Sequence, residues 1–329
     1  MSVLVFVETA DGDLRGSSLE AVGYGAQLAT QLGTQAIALV LGNQVSQDKL
    51  SKIGNYGISR VLNVADARLN EGIIQAYSNV LASVASQEKA NTVILAKSCL
   101  GDAVVARLAI KMQASLASNV TELPLSIAGD RMEVRRSVYT GKAFQTMTLT
   151  ASNKILALKK NAFAPIPSTE TANIEAYQVS LQESDFAVKI TKTEKVTGEL
   201  LLPEADKVVS GGRGLKGPEN WGLILDLAKA LQAATGCSKP VSDLDWRPHH
   251  EHVGQTGVKV SPNLYLAVGI SGAIQHLAGV SSSKCIVVIN KDADAPFFKA
   301  ADYGIVGDAF EILPRLTKAL QALNLTNSY

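Results

Sequence analysis

The sequence predicts an α/β protein of two domains. Short apolar runs alternate with stretches of helical periodicity along most of the first half, the pattern of a parallel sheet covered on both faces. A Pro-, Ser- and Thr-rich stretch, "FAPIPSTETA" (Phe163 to Ala172), interrupts that pattern, and the alternation restarts after residue 205 on a smaller scale. The 329 residues fit two domains of ordinary size. The expected division is 1–197, an N-terminal mostly parallel α/β sheet domain with added antiparallel strands, and 198–329, a smaller doubly wound domain.

The elements follow in order. "VLVFVE" (Val3 to Glu8) reads as a buried strand and Ser18 to Leu32 as a helix capped by Ser18. "AIALVL", "RVLNV" and "TVILA" read as strands, with helices near Gln47 to Ile53, Gly72 to Lys89 and Asp102 to Met112. "RMEVRRSVYT", "KAFQTMTLT" and "NKILALKK" lie close together with no helix between them, so they read as antiparallel strands or edge additions. "EAYQVSL" and "FAVKITKTEKV" read as one more pair of strands. In the second half "DKVVS", "LYLAVGI", "KCIVVI" and "YGIVG" are strands. Helices follow from about Glu219 to Ala234 and from about Phe310 to Leu323.

Composition excludes several classes. The formal net charge is +1, with no basic arm or stripe, and aromatics are 5% of the chain. Neither a duplex nucleic-acid binder nor a single-strand stacking platform fits those values. The three cysteines are scattered and form no CxxC pair, as in a reducing compartment. No charged leader with an apolar core opens the sequence, and no apolar run reaches the roughly 20 residues of a membrane span. A cytoplasmic protein is expected.

The polar residues gather at strand ends. The four expected strands of the second half run into Gly211–Gly212–Arg213, Gly269–Ser271–Gly272, Asn290 and Asp308. Ligands of open α/β sheets bind beyond the carboxyl ends of the strands, so a nucleotide-type ligand is expected here. Arg213 in "GGRG" adds a fixed positive charge suited to phosphate. A helix starting at Gly272 would place Ala273, Ile274, Leu277 and Ala278 on its apolar stripe and Gln275 and His276 on the opposite, ligand-facing side. "RPHHEHVGQTG" (Arg247 to Gly257) has three histidines in four positions, but without metal-ligand spacing it reads as a polar loop near the ligand. No nucleophile elbow, full P-loop or complete G-x-G-x-x-G is present. No catalytic set is expected.

"GGRGL", "VGQTG", "LYLAVGISGAIQHLAG", "IVVINKD" and "ADYGIVGD" occur in this order from about Val208 onward. Together they resemble the α subunit of an electron-transfer flavoprotein. The resemblance implies one FAD held mainly by the second domain, and a first domain that forms the interface with a β subunit carrying AMP. It implies electrons arriving from acyl-CoA dehydrogenases or related flavin dehydrogenases and leaving to a membrane quinone oxidoreductase, without substrate turnover by this chain. By position it places Thr256 near flavin N5 and His276 near the N1–C2 carbonyl edge. Arg213, Gly254, Gln255, Ser271, Gly272, Ala273, Ile274 and Gln275 would line FAD, and Asn290 and Asp308 would serve its adenosine side. Ser238 matches a flavin-contact position, and Lys239 stands where the family commonly has arginine, facing the flavin ring. The competing readings are an NAD-dependent dehydrogenase with Asp292 on the ribose and a non-redox nucleotide-binding scaffold.

Overall fold

The computed structural model describes residues 2–164, 166–193, 201–203 and 205–326. The chain divides into two compact units, Met1–Thr193 and Glu194–Tyr329. The expected boundary at residue 197 lies in 194–200, outside the described residues.

Unit 1 runs β1 (Ser2–Val7), β2 (Thr9–Ala10), β3 (Asp13–Leu14), α1 (Gly16–Gln31), β4 (Gln35–Leu41), α2 (Gln47–Ser51), β5 (Arg60–Val64), α3 (Ile74–Gln87), β6 (Ala90–Ala96), α4 (Cys99–Met112), β7 (Ser115–Val120), β8 (Ser126–Ala128), β9 (Arg131–Val138), β10 (Ala143–Leu149), β11 (Lys154–Leu158) and β12 (Asn173–Ala176). Its main sheet has the order β10-β9-β7-β11-β6-β1-β4-β5-β12, with β8 on β9. β1 is buried along its whole length because both faces of the sheet are covered. Val3, Val5 and Val7 pack with Tyr24 and Leu28 of α1, while Leu4 and Phe6 pack with Tyr77 and Leu81 of α3. This is the two-residue alternation of a strand with helices on both sides.

The antiparallel expectation holds for β9 and β10, which pair as a hairpin from Ala143↔Val138 to Leu149↔Met132. It fails for "NKILALKK". β11 is an interior strand, parallel to both β6 and β7, and all five of its residues are buried. The expected late pair of strands also fails. Among the described residues of this stretch only Asn173–Ala176 forms a strand, parallel to β5. Gln182 and Asp185 then cap each other's backbone and wind Glu183–Phe186 into a 3₁₀ turn, which ends the extended run. The last residues of "FAVKITKTEKV" lie outside the described residues. Ser18 is no cap: α1 begins at Gly16, and the buried Ser18 hydroxyl accepts the Glu8 N–H at 3.0 Å.

Unit 2 runs β13 (Lys207–Gly211), α5 (Gly222–Leu231), β14 (Ala234–Cys237), α6 (Lys239–Asp243), β15 (Leu264–Val268), α7 (Ile274–Val280), β16 (Cys285–Asn290), β17 (Tyr303–Val306) and α8 (Ala309–Thr326). Among the described residues its sheet has five strands, all parallel, in the order β14-β13-β15-β16-β17. The order reverses between β13 and β15, so their carboxyl ends flank the crevice at which ligands of such sheets bind. β14 has no counterpart among the expected strands. "ATGC" is four residues long and was absorbed into the end of the expected helix, which closes three residues earlier, at Leu231. One face of the sheet packs Val208, Tyr265 and Val288 with Val280 of α7 and Phe297. The other packs Val209, Leu266 and Ile289 with Ile224 of α5 and Leu313 of α8. Among the described residues no helix is long and apolar enough to cross a membrane.

Candidate functional site

The carboxyl edge of the unit 2 sheet carries the loops that hold the residues singled out in the sequence, although His276 turns away from it. Backbone hydrogen bonds join its loops into one continuous rim. Gly212 N–H donates to the Val268 carbonyl at 2.8 Å, and Gly214 N–H to the Gly269 carbonyl at 3.0 Å, which binds the β13 and β15 loops together. Ser238 N–H donates to the Gly211 carbonyl at 3.1 Å, and Val253 N–H to the Cys237 carbonyl at 3.0 Å. Thus Arg213, Ser238, Lys239 and the segment entering Gly254 belong to one side of the rim.

The Gly254–Gly257 turn connects that side to α7. Gln255 N–H donates to the Gln275 carbonyl at 2.8 Å, and Gly254 N–H to the Val258 carbonyl at 3.1 Å. Gly279 of α7 lies against the turn so closely that an added Cβ would fall 2.6 Å from Gly254 Cα. Gly272 has φ +85°, and an added Cβ would meet the Phe297 backbone at 2.5 Å. Both facts demand glycine at the bend between β15 and α7.

Beyond β16, Asn290 Nδ2 donates to the Ile270 carbonyl at 3.0 Å and its Oδ1 accepts from Asp292 N–H at 3.1 Å. Asn290 therefore fixes the neighbouring loop with its own amide. Asp308 Oδ1 accepts from Phe310 N–H at 2.9 Å, capping the start of α8. Lys239 is exposed and pairs with Asp243 four residues on, with Nζ–Oδ2 at 2.7 Å.

Arg213, Lys239, Gln255, Thr256, Ser271, Ala273, Ile274 and Gln275 are all exposed. Among the described residues, the side chains of Arg213, Gln255, Thr256, Ser271 and Gln275 form no hydrogen bond within the chain. Ile274, the first residue of α7, is 71% exposed although large and apolar. The rim thus offers a guanidinium, two hydroxyls, two amides and an apolar side chain, none engaged internally. A flat apolar ring with polar edges and a phosphate tail finds a partner for each part there.

His276 departs from the expectation. It is 6% exposed and points into the core, and Ile274 faces out instead. The reason is where the helix begins. The chain stays non-helical through Ala273, and α7 has only seven residues, so its buried residues are His276, Ala278, Gly279 and Val280; of the expected apolar stripe Ala278 is buried, while Ala273 and Ile274 are exposed. The Tyr265 hydroxyl and His276 Nε2 are 2.8 Å apart, and the imidazole edge meets Phe297 with ring centroids 5.7 Å apart. Burial first, and then the neighbouring His252, pull its pKa down to about 4, so the ring is neutral at pH 7. Burial also raises the Tyr265 hydroxyl, which keeps its proton.

The "RPHHEH" loop holds structure that its composition did not reveal. Arg247 grips the buried Glu251 through both carboxylate oxygens, with Nε–Oε2 at 2.9 Å, and its guanidinium lies 5.7 Å from the Trp221 ring centroid. Burial, and then the Glu251 charge, push the nearby Cys237 thiol up to about 12, so it stays protonated and unreactive. The i, i+4 spacing of Arg247 and Glu251 was the available signal. His252 is buried as well, whereas His249 and His250 are exposed.

Residues 3–182 match the electron transfer flavoprotein domain, and residues 201–281 match the electron transfer flavoprotein FAD-binding domain. A relative named electron transfer flavoprotein subunit alpha, from Bacillus subtilis (strain 168), is 36% identical over 98% of each chain. A probable mitochondrial electron transfer flavoprotein subunit alpha of Caenorhabditis elegans is 35% identical over 97% of this chain and 93% of its own. Protein FixB of Clostridium saccharobutylicum is 32% identical over 95% of this chain and 94% of its own. The chain belongs to the electron transfer flavoprotein family, as an alpha subunit.

Proposed function

We propose that this chain holds one FAD on the carboxyl edge of its second unit and carries electrons as half of a heterodimer. The partner is the β subunit, which holds an AMP. Electrons come from acyl-CoA dehydrogenases or related flavin dehydrogenases and pass to a membrane quinone oxidoreductase, and the heterodimer works in the cytoplasm. The observation that carries the reading is the rim of exposed, internally unengaged side chains at the sheet's switch point, in the unit that matches a FAD-binding family.

The residues take distinct roles. Arg213, beside the β13 turn, meets the pyrophosphate. Thr256 and Gln255 present a hydroxyl and an amide from the turn, and Ser271, Gly272, Ala273, Ile274 and Gln275 form the opposing wall. Ser238 and Lys239 border the ring from the β14 end, and Asn290 and Asp308 stand at the adenosine side. His276, neutral and buried, acts from behind that wall as a dipole and not as a charge. When bound, FAD supplies reversible uptake of one or two electrons; the chain supplies placement, exclusion of water and a field that sets how readily they are taken.

For the first unit, Tyr139 (80% exposed) and Phe144 (53%) border the β9–β10 hairpin, and Leu125 and Ile127 are exposed beside it. An exposed apolar group of this kind supports docking of the β subunit there. The test is the absorbance spectrum of the copurified heterodimer. Flavin bands that bleach when an acyl-CoA dehydrogenase and its substrate are added are expected. A correctly assembled but colourless heterodimer would overturn the FAD reading.

A further inference from the structure

We propose that His252 is a positioning residue for the Gly254–Gly257 turn, sharing its protonation with His276 so that acidification loosens the turn's hold on FAD. This rests on the FAD reading above and adds a residue and a pH response to it.

The geometry begins with burial. Of the chain's four histidines, His252 is 3% exposed. Its ring lies beneath the turn from one end to the other. A Cβ on Gly254 would come within 3.2 Å of His252 Nε2, and one on Gly257 within 2.8 Å of Cγ and Nδ1. The same Gly257 Cβ would fall 2.2 Å from the His252 carbonyl oxygen, so the turn can rest on His252 only with glycine there. That carbonyl accepts Val258 N–H at 2.7 Å and closes the loop. Thr256 sits between the two supported glycines, and the height of its hydroxyl is set by the ring below.

The chemistry of the ring supplies the pH response. His252 Nδ1 is buried without a hydrogen-bond partner, which is unfavourable relative to a satisfied group. A proton added there meets no acceptor. The charged and titratable groups facing the ring are His249 on its own turn, with ring centroids 5.6 Å apart, Lys239 and Asp243 on α6, and His276 on α7. Burial, then His249 and Lys239, lower the His252 pKa, and Asp243 opposes them. A Cβ on Gly254 would lie 3.2 Å from both His252 Nε2 and the Gln275 carbonyl oxygen, so the His252 ring lies under the point where the turn meets the residue before His276, and charge on one imidazole opposes charge on the other. The turn is bonded to α7 through Gln255 N–H and the Gln275 carbonyl, so a charge beneath it disturbs both walls of the site. Water must then reach the ring, and the turn must lift to admit it.

The experiment uses the heterodimer with FAD, with histidine isotopically labelled in this chain alone and followed by NMR from pH 8 to 4. His249→Gln and His250→Gln assign the exposed rings. In the wild type, His252 and His276 should both titrate below 6.5. In His252→Gln, which keeps a polar neutral group but cannot take the proton, the His276 midpoint should rise by about half a unit. FAD affinity, read by flavin fluorescence, should fall about tenfold from pH 8 to 5.5 in the wild type and less than about threefold in His252→Gln, one pKa unit being tenfold. An unmoved His276 midpoint, or the same acid weakening in the variant, overturns the proposal. If the variant does not assemble, the wild-type curve decides, since a His252 midpoint at or above 6.5 overturns it and one below supports it. A wild-type heterodimer holding no flavin overturns the FAD reading and this proposal with it, an outcome distinct from flavin retained without coupling.

Discussion

Tyr265 and His276 make one buried hydrogen bond at 2.8 Å, and two substitutions separate its structural and redox loads. Tyr265→Phe removes the hydroxyl, keeps the ring and leaves the buried His276 Nε2 without that partner, so denaturant unfolding should show a loss of about 1–3 kcal/mol. His276→Ala removes the imidazole partner of that hydroxyl and opens a cavity, so the loss should be about 2–4 kcal/mol. FAD should be retained by His276→Ala at pH 8, with the first one-electron potential lowered because a dipole near the ring is gone. A redox titration with an unchanged potential would reject the tuning role. Lys239 acts through charge. Its pair with Asp243 is exposed at both ends, and such pairs are worth about 0–1 kcal/mol. Asp243→Asn releases the ammonium toward the site, and the same titration should show a potential raised by some tens of millivolts, on the scale of about 59 mV per tenfold stabilisation. Salt should shrink the difference. At this scale the sequence was legible in kind but not in orientation. The two glycines around Ser271 marked the bend, yet the first helical residue decided which side chains face in, and Gly272 and Ala273 delay it beyond what a 3.6-residue period can register.

The β15–α7 bend is the element on which the site depends. Gly272→Ala would put a Cβ at φ +85° and 2.5 Å from the Phe297 backbone, and neither the strain nor the clash can relax by moving a flexible side chain. A loss above about 2 kcal/mol is expected, together with loss of flavin from the purified heterodimer; a coloured, equally stable variant would show that the bend is tolerant. The interior strands β1 and β6 were readable because "VLVFV" and "TVILA" are almost wholly apolar, as burial on both faces requires. Strand neighbours were not. β11 follows the β9–β10 hairpin in sequence but inserts between β7 and β6, and no local pattern separates an interior parallel strand from an edge addition. β14 escaped because four residues carry no period. The charged "RPHHEH" loop reads as a solvated loop, although Arg247 and Glu251 form a buried pair four residues apart. Composition cannot tell a buried ion pair from two solvated charges, and i, i+4 spacing shows only that the two can pair, since Lys239 and Asp243 share it and stay exposed.

At the scale of the whole molecule, the two units should respond to acid in different ranges. In unit 2, His276 is held at about 4 by burial and His252 is also lowered, while an unfolded histidine stays near 6.5. Above pH 7 both states are neutral and nothing is lost. As pH falls through 6.5 the unfolded chain takes protons that the folded unit refuses, so stability drops until the folded groups protonate as well. For His276 this amounts to about 3 kcal/mol by pH 4. Unit 1 has the opposite kind of group. Asp66 is lowered by its hydrogen bond to Arg68, and Glu175 by its hydrogen bond to Arg60. Their stabilisation is present above the ordinary carboxylate range and is lost only as pH falls through it toward the folded values. Between pH 6.5 and 4.5, unit 2 should therefore weaken while unit 1 holds. Hydrogen exchange of the chain at pH 7.5 and 5, corrected for intrinsic rates, should show protection falling in β13–β16 and preserved in β1, β4 and β6. His276→Gln should flatten the unit 2 response. Equal loss of protection in both units would mean that the buried histidines do not set the acid limit.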